Sequence, residues 1–121
     1  MSKPLAECGV HIIGLGLMGG SLAMALHGKV RRLTAEDRLP DVIERALASG
    51  VIDAPGTAES ADVVILAAPA DQIVAHITAL DVPPQTLVID LGSTKTRICE
   101  QLDRLPDSVW AVGGHPMCGL A

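Results

Sequence analysis

Residues 10–26, VHIIGLGLMGGSLAMAL, decide the fold. Residues 10–13 form a short apolar run of the kind that makes a buried strand. Gly14, Gly16 and Gly19 follow at once with the spacing G-x-G-x-x-G, and Leu22, Ala25 and Leu26 then recur at helical intervals. The glycines therefore fall on a strand-to-helix turn, the context in which this pattern carries meaning. In such a turn Gly14 makes the tight bend, Gly16 admits a pyrophosphate to the backbone, and Gly19 lets the helix close on the strand. Leu17 and Met18 complete the loop, and the amides at the helix start face the phosphates with help from the helix dipole. The bland alternative is a tight turn without a ligand; the strand–turn–helix context favours a dinucleotide.

A dinucleotide site of this kind needs an acid at the end of the next strand. Residues 30–36, VRRLTAE, are a poor strand by themselves because two arginines interrupt them, yet a βαβ unit requires one at this distance. Asp37 follows, 18 residues after Gly19, where an acidic residue ordinarily holds the adenosine ribose hydroxyls. Its charge opposes a 2′-phosphate and so favours NAD over NADP. Arg38 works the other way, since a neighbouring arginine can accommodate that phosphate. The plainer reading of Asp37 is a solvated loop carboxylate.

The remaining chain alternates strand and helix signals. Residues 40–48 read as a helix with Val42, Ile43, Ala46 and Leu47 on one face, residues 51–52 as a brief strand and 53–60 as a polar turn. Residues 61–68, ADVVILAA, suit a parallel strand covered on both faces, ended by Pro69. Residues 71–80 carry a helical stripe that leaves His76 at the surface, and the prolines of 81–85 forbid a regular element. Residues 86–91, TLVIDL, form another buried strand, Gly92-Ser93-Thr94 begins a helix, and 108–112 give the last strand. This alternation predicts an α/β domain over residues 1–121, a Rossmann-type doubly wound parallel sheet of about six strands in the order 3-2-1-4-5-6 with helices on both faces. Ligands in such sheets bind beyond the carboxyl ends of the strands. Those ends are Gly14, Asp37, Ala67-Ala68-Pro69, Leu91-Gly92-Ser93 and Gly113-Gly114-His115.

Composition limits what else the chain can be. With 121 residues, 49% of them hydrophobic and only 19% charged, it can bury one substantial core. Trp110 is the sole aromatic, so that core is aliphatic. A net charge of −5 argues against non-specific nucleic-acid binding. Cys8, Cys99 and Cys118 are too scattered for a disulfide framework or a zinc site, which suggests reduced thiols, no metal and a cytoplasmic setting. No apolar run reaches membrane-spanning length, so no membrane partner is expected.

Chemistry is expected from Ser93 and His115, which follow two strands that should be neighbours. A hydroxyl and an imidazole meeting at a nicotinamide edge could position and deprotonate a substrate hydroxyl. Ser93 also fits a helix N-cap, and His115 a loop position beside Pro116. Lys95, one turn into the helix, could attract an anionic substrate or a cofactor phosphate, or simply face solvent.

Together, IGLGLMGGSLA, ADVVILAAP, DLGSTK and GGHPMCG resemble the nucleotide-binding half of the prephenate dehydrogenase family, which includes arogenate-using relatives. The resemblance runs from about Val10 to Gly119, and its GSTK and GGHPM segments are far more specific than the glycine turn. It implies NAD-dependent oxidative decarboxylation in tyrosine biosynthesis: the ring hydroxyl loses its proton, hydride passes to the nicotinamide, and the ring carboxylate leaves as carbon dioxide. By that resemblance His115 accepts the hydrogen bond of the ring hydroxyl and Ser93 orients both. Gly14, Gly16, Leu17, Met18, Gly19, Asp37, Arg38, Ala68, Pro69 and Gly92 bind the cofactor, and Ser93, Lys95 and His115 meet the substrate. The family's second, helical domain, which forms the dimer, is not in this sequence. The chain therefore reads as the cofactor half of a larger enzyme, weakly active or inactive alone, whose apolar surface (mean hydropathy +0.41) favours self-association or pairing with that domain. Two further readings are another β-hydroxyacid dehydrogenase half, which leaves the HPM segment unexplained, and a dinucleotide-sensing module without catalysis.

Overall fold

The computed structural model describes residues 4–68, 72, 75–76, 80, 82–91 and 110–113. Strands β1 (Gly9–Ile13), β2 (Arg32–Glu36), β3 (Ala54–Pro55), β4 (Val63–Leu66), β5 (Leu87–Asp90) and β6 (Trp110–Gly113) form one sheet in the order β3-β2-β1-β4-β5-β6. Every pairing in it is parallel. The predicted order therefore holds, with its reversal between β1 and β4.

Helix α1 (Leu17–Leu26) starts directly from the glycine turn, and beyond its end Gly28 at φ 81° turns the chain away. Helix α2 (Pro40–Ala48) opens on a proline, with Asp41 in its first turn and Arg45 in its last, which suits the helix dipole at both ends. Both helices serve the first face of the sheet. There Val10, Ile12, Leu33, Ala35, Val63 and Ile65 form a core onto which Leu22, Leu26, Val42, Ile43 and Ala46 pack. Ile13, Val64, Leu66 and Val88 point to the second face and gather with Ala58, Ala61, Leu80 and Val82. The period-two alternation of a strand thus splits the aliphatic residues into two cores.

β4 is buried at every position, as its unbroken apolar run predicts. β2 is different. Arg32 is exposed, Leu33 and Ala35 are buried, and Thr34 and Glu36 are half-buried. Its second face is polar, and the crossover from β3 to β4 contributes only a 3-10 turn, Ala58–Ser60, to that side. The two arginines that weakened the strand signal accordingly sit where no apolar residue is demanded.

The third strand lies at Ala54–Pro55 rather than at residues 51–52. Asp53 is the reason. Its amide donates to the Leu33 carbonyl at 2.8 Å, and its Oδ2 accepts from the Leu33 amide at 2.7 Å. The chain thus joins β2 through Asp53, and strand pairing begins at Ala54 opposite Thr34, while Ile52 fills the first-face core. His76, expected at the surface, is half-buried. Of the predicted helix 71–80 only Gln72, Ala75 and His76 are described as helical, and the predicted helix from Ser93 lies outside the described residues. Among the described residues no helix is long and apolar enough to cross a membrane.

Candidate functional site

The carboxyl ends of the strands finish level. Glu36, Ile13, Leu66, Asp90 and Gly113 are successive Cα partners across β2, β1, β4, β5 and β6, a single row along one edge of the sheet. Gly14, Asp37, Ala67 and Leu91 come next in the chain, so the residues expected to act at this edge emerge from one line.

The glycine turn is built as its spacing requires. Gly14 has φ 98°, a conformation that a side chain disfavours. A Cβ there would also stand 2.7 Å from the amide nitrogen of Ala68. A Cβ on Gly19 would collide with the Gly14 carbonyl oxygen and stand 3.1 Å from the Ala67 side chain. The turn, the start of α1 and the exit of β4 therefore meet without side-chain volume between them. Gly16 is the opposite case: a Cβ there would meet nothing within 4 Å. Gly16 is also the N-cap of α1, with no side-chain cap and no acidic residue in the first turn. The first amides of a helix lack intrahelical acceptors, so this end offers donors and positive potential to an anion. Leu17 and Met18 line it from outside, the former 87% exposed.

Asp37 ties the turn to β2. Its Oδ2 accepts from the Leu15 amide at 2.9 Å and its Oδ1 from the Leu39 amide at 2.9 Å. A carboxylate has about four lone-pair sites, so both oxygens can still accept from ribose hydroxyls. Arg38 stands exposed beside it, and Ala68 backs Gly14. Pro69, Gly92, Ser93, Lys95 and His115 lie outside the described residues.

Sequence reasoning missed His11. It is fully buried in the middle of β1, with Nδ1 2.8 Å from the Thr34 hydroxyl and Nε2 2.7 Å from Glu36 Oε2. Burial pulls its pKa below 6.5, outweighing the opposing pull of the Glu36 carboxylate. In the neutral form Nε2–H donates to Glu36 and Nδ1 accepts from Thr34, so every polar atom of the ring is satisfied. The available signal was a histidine inside an apolar run facing the alternating Thr34 and Glu36 of β2. Asp90, also fully buried, stands in the same edge row on β5. A cleft of about 260 Å³ among Gly9, Arg31, Arg32, Thr34 and Thr57 lies at the opposite, amino-terminal end of β1 and β2.

A parallel sheet in the order 3-2-1-4-5-6, with a glycine turn at the point of reversal and an acid at the end of the second strand, defines a nucleotide-binding Rossmann domain. The family described as "Prephenate dehydrogenase, nucleotide-binding domain" matches residues 21–121. The chain belongs to that family. It is 35% identical to the prephenate dehydrogenase of Bacillus subtilis (strain 168) over 120 residues, covering 89% of this chain and 32% of the relative. Its fold superposes with a TM-score of 0.82 and 30% identity on the crystal structure of prephenate dehydrogenase from A. aeolicus in complex with hydroxyphenyl propionate and NAD+, covering 98% of this chain and 45% of that one. The Synechocystis arogenate dehydrogenase structure gives a TM-score of 0.72 at 28% identity, covering 93% of this chain and 42% of that one. The chain thus spans about a third of the length of the curated relatives it matches.

Proposed function

We propose that this domain binds NAD and forms the cofactor half of an oxidoreductase that decarboxylates prephenate oxidatively to 4-hydroxyphenylpyruvate. The observation that carries the reading is the glycine turn locked to Asp37: an open Gly16, a close-packed Gly14 and Gly19, and a carboxylate fixed by the Leu15 amide. The A. aeolicus neighbour with NAD+ supports the same cofactor. Gly14, Gly16, Leu17, Met18, Gly19 and the amides of α1 would hold the pyrophosphate, and Asp37 the adenosine ribose. When bound, NAD supplies the hydride acceptor.

His115 and Ser93 supply the acid–base part. His115 accepts the proton of the ring hydroxyl while the ring carboxylate departs as carbon dioxide, and Ser93 orients the hydroxyl and the imidazole. What supports the pairing is topological: β5 and β6, which precede these residues, are adjacent and parallel. Lys95 attracts a substrate carboxylate. The substrate assignment follows the curated relatives, both named prephenate dehydrogenases; arogenate is the alternative that the Synechocystis neighbour represents. A second domain completes the substrate site, in keeping with the share of the relatives' length that this chain spans.

The test is His115→Asn in the protein that joins this domain to its second domain. NAD affinity should be retained, and turnover of prephenate should fall by about a hundredfold or more, the usual worth of a general base. Unchanged turnover would contradict the reading, as would a purely binding defect.

A further inference from the structure

β2 ends in two consecutive carboxylates, Glu36 and Asp37. Glu36 is held quite differently. Its carbonyl accepts from the Gly14 amide at 2.8 Å, so its backbone is part of the glycine turn. The side chain lies on the face of the sheet that carries His11 and Thr34, and it remains 40% exposed. One oxygen, Oε2, is fixed by His11 Nε2 at 2.7 Å. The other, Oε1, has no partner among the described residues.

The carboxylate is thus aimed from below and open above. His11, which aims it, is itself braced through Nδ1 by Thr34 at 2.8 Å and is completely buried between Val10 and Ile12. An apolar residue in the centre of β1 would avoid the desolvation of an imidazole. Replacing both partners of a buried polar contact by apolar groups is often neutral or stabilising, so fold stability alone gives no reason for a histidine here. Orientation of Glu36 does. Four groups then share the end of β2: Asp37 on the turn, Glu36 beside it, the Gly14 amide between strand and turn, and the exposed Arg38.

We infer that Glu36, oriented by His11, is a second acidic determinant at the adenosine end of the site and sets its preference for a dinucleotide with a free 2′-hydroxyl. A 2′-phosphate would bring negative charge towards two fixed carboxylates, with Arg38 the one opposing cation on the β2 exit among the described residues. Charge repulsion of this kind acts over several ångströms and does not require contact. His11 is a positioning residue in this scheme. The inference rests on the dinucleotide reading proposed above and adds the residue that tips NAD against NADP.

The experiment is calorimetric titration of the full chain with NAD and with NADP, for the parent, Glu36→Gln, His11→Leu and His11→Gln, with circular dichroism confirming the fold of each. In Glu36→Gln the ratio of the NADP to the NAD dissociation constant should narrow by about tenfold, as expected for removing one nearby fixed charge. His11→Leu, which leaves the carboxylate without its guide, should narrow the ratio less. His11→Gln, whose amide can still donate to Glu36 and accept from Thr34, should restore it, a pattern that a merely structural role for His11 would not give. A folded Glu36→Gln chain with the parent's ratio overturns the inference while leaving NAD binding intact. A parent chain that binds neither nucleotide overturns the dinucleotide reading, and this inference with it.

Discussion

β2 and β4 flank β1 on either side, pair with it in parallel, and solve different problems. β4 is apolar throughout and covered on both faces, so it is the sheet's mechanical centre. β2 is apolar on one face only: Leu33 and Ala35 anchor it to the core beneath α1 and α2, while Arg32, Thr34 and Glu36 lie on the other. β4 ends in the buried Leu66, whereas the half-buried β2 delivers Glu36 and Asp37 to the carboxyl edge with both side chains partly exposed.

The largest effect should come from the buried face of β2. Leu33 is completely buried in the first-face core, so Leu33→Ala should cost about 2–5 kcal/mol of stability in denaturant unfolding. Loss of less than about 1 kcal/mol would mean that the face is not packed as described. A medium effect should come from the polar face, through pH. The pKa of His11 is lowered in the folded chain by burial, so the unfolded chain takes up a proton first as pH falls below 6.5, the value for an unburied histidine. The folded chain therefore loses stability as pH falls from that value towards the folded-state pKa of His11. The urea midpoint should drop between about pH 7 and pH 5, and drop less in His11→Gln. An equal drop in both chains would remove His11 as the cause. The smallest effect should come from Arg32, exposed and without an ion-pair partner among the described residues. Arg32→Ala should stay within about 0.5 kcal/mol of the parent.

The same contrast explains what was legible in the sequence. β1, β4 and β5 are apolar runs of strand length, and the glycine spacing marked the turn between β1 and α1, so the strand order could be taken from the doubly wound topology that this alternation implies. β2 was weak because alternation in a five-residue strand with two charged ends looks like a loop. β3 was misplaced because its entry into the sheet is governed by Asp53 binding the Leu33 backbone, a long-range contact without local signature. Spacing singled out Gly14 and Gly19, whose lack of side chain the packing of the turn requires, and Asp37, which holds the Leu15 amide. The bond from the Leu15 amide to Asp37 spans the gap between two strands and is visible only once they are paired. His11 was hidden for the same reason: the partners of its ring nitrogens are Thr34 and Glu36 on β2 and not its neighbours in sequence.

The most direct test of the central claim, that the glycine turn and Asp37 form a dinucleotide site, is calorimetric titration of this chain with NAD beside its Asp37→Ala variant. Saturable binding by the parent is expected, with a loss of about tenfold or more in the variant, because the ribose loses its acceptor and the Leu15 amide its anchor. Equal affinity in the two chains, or no binding by a folded parent, would contradict that claim.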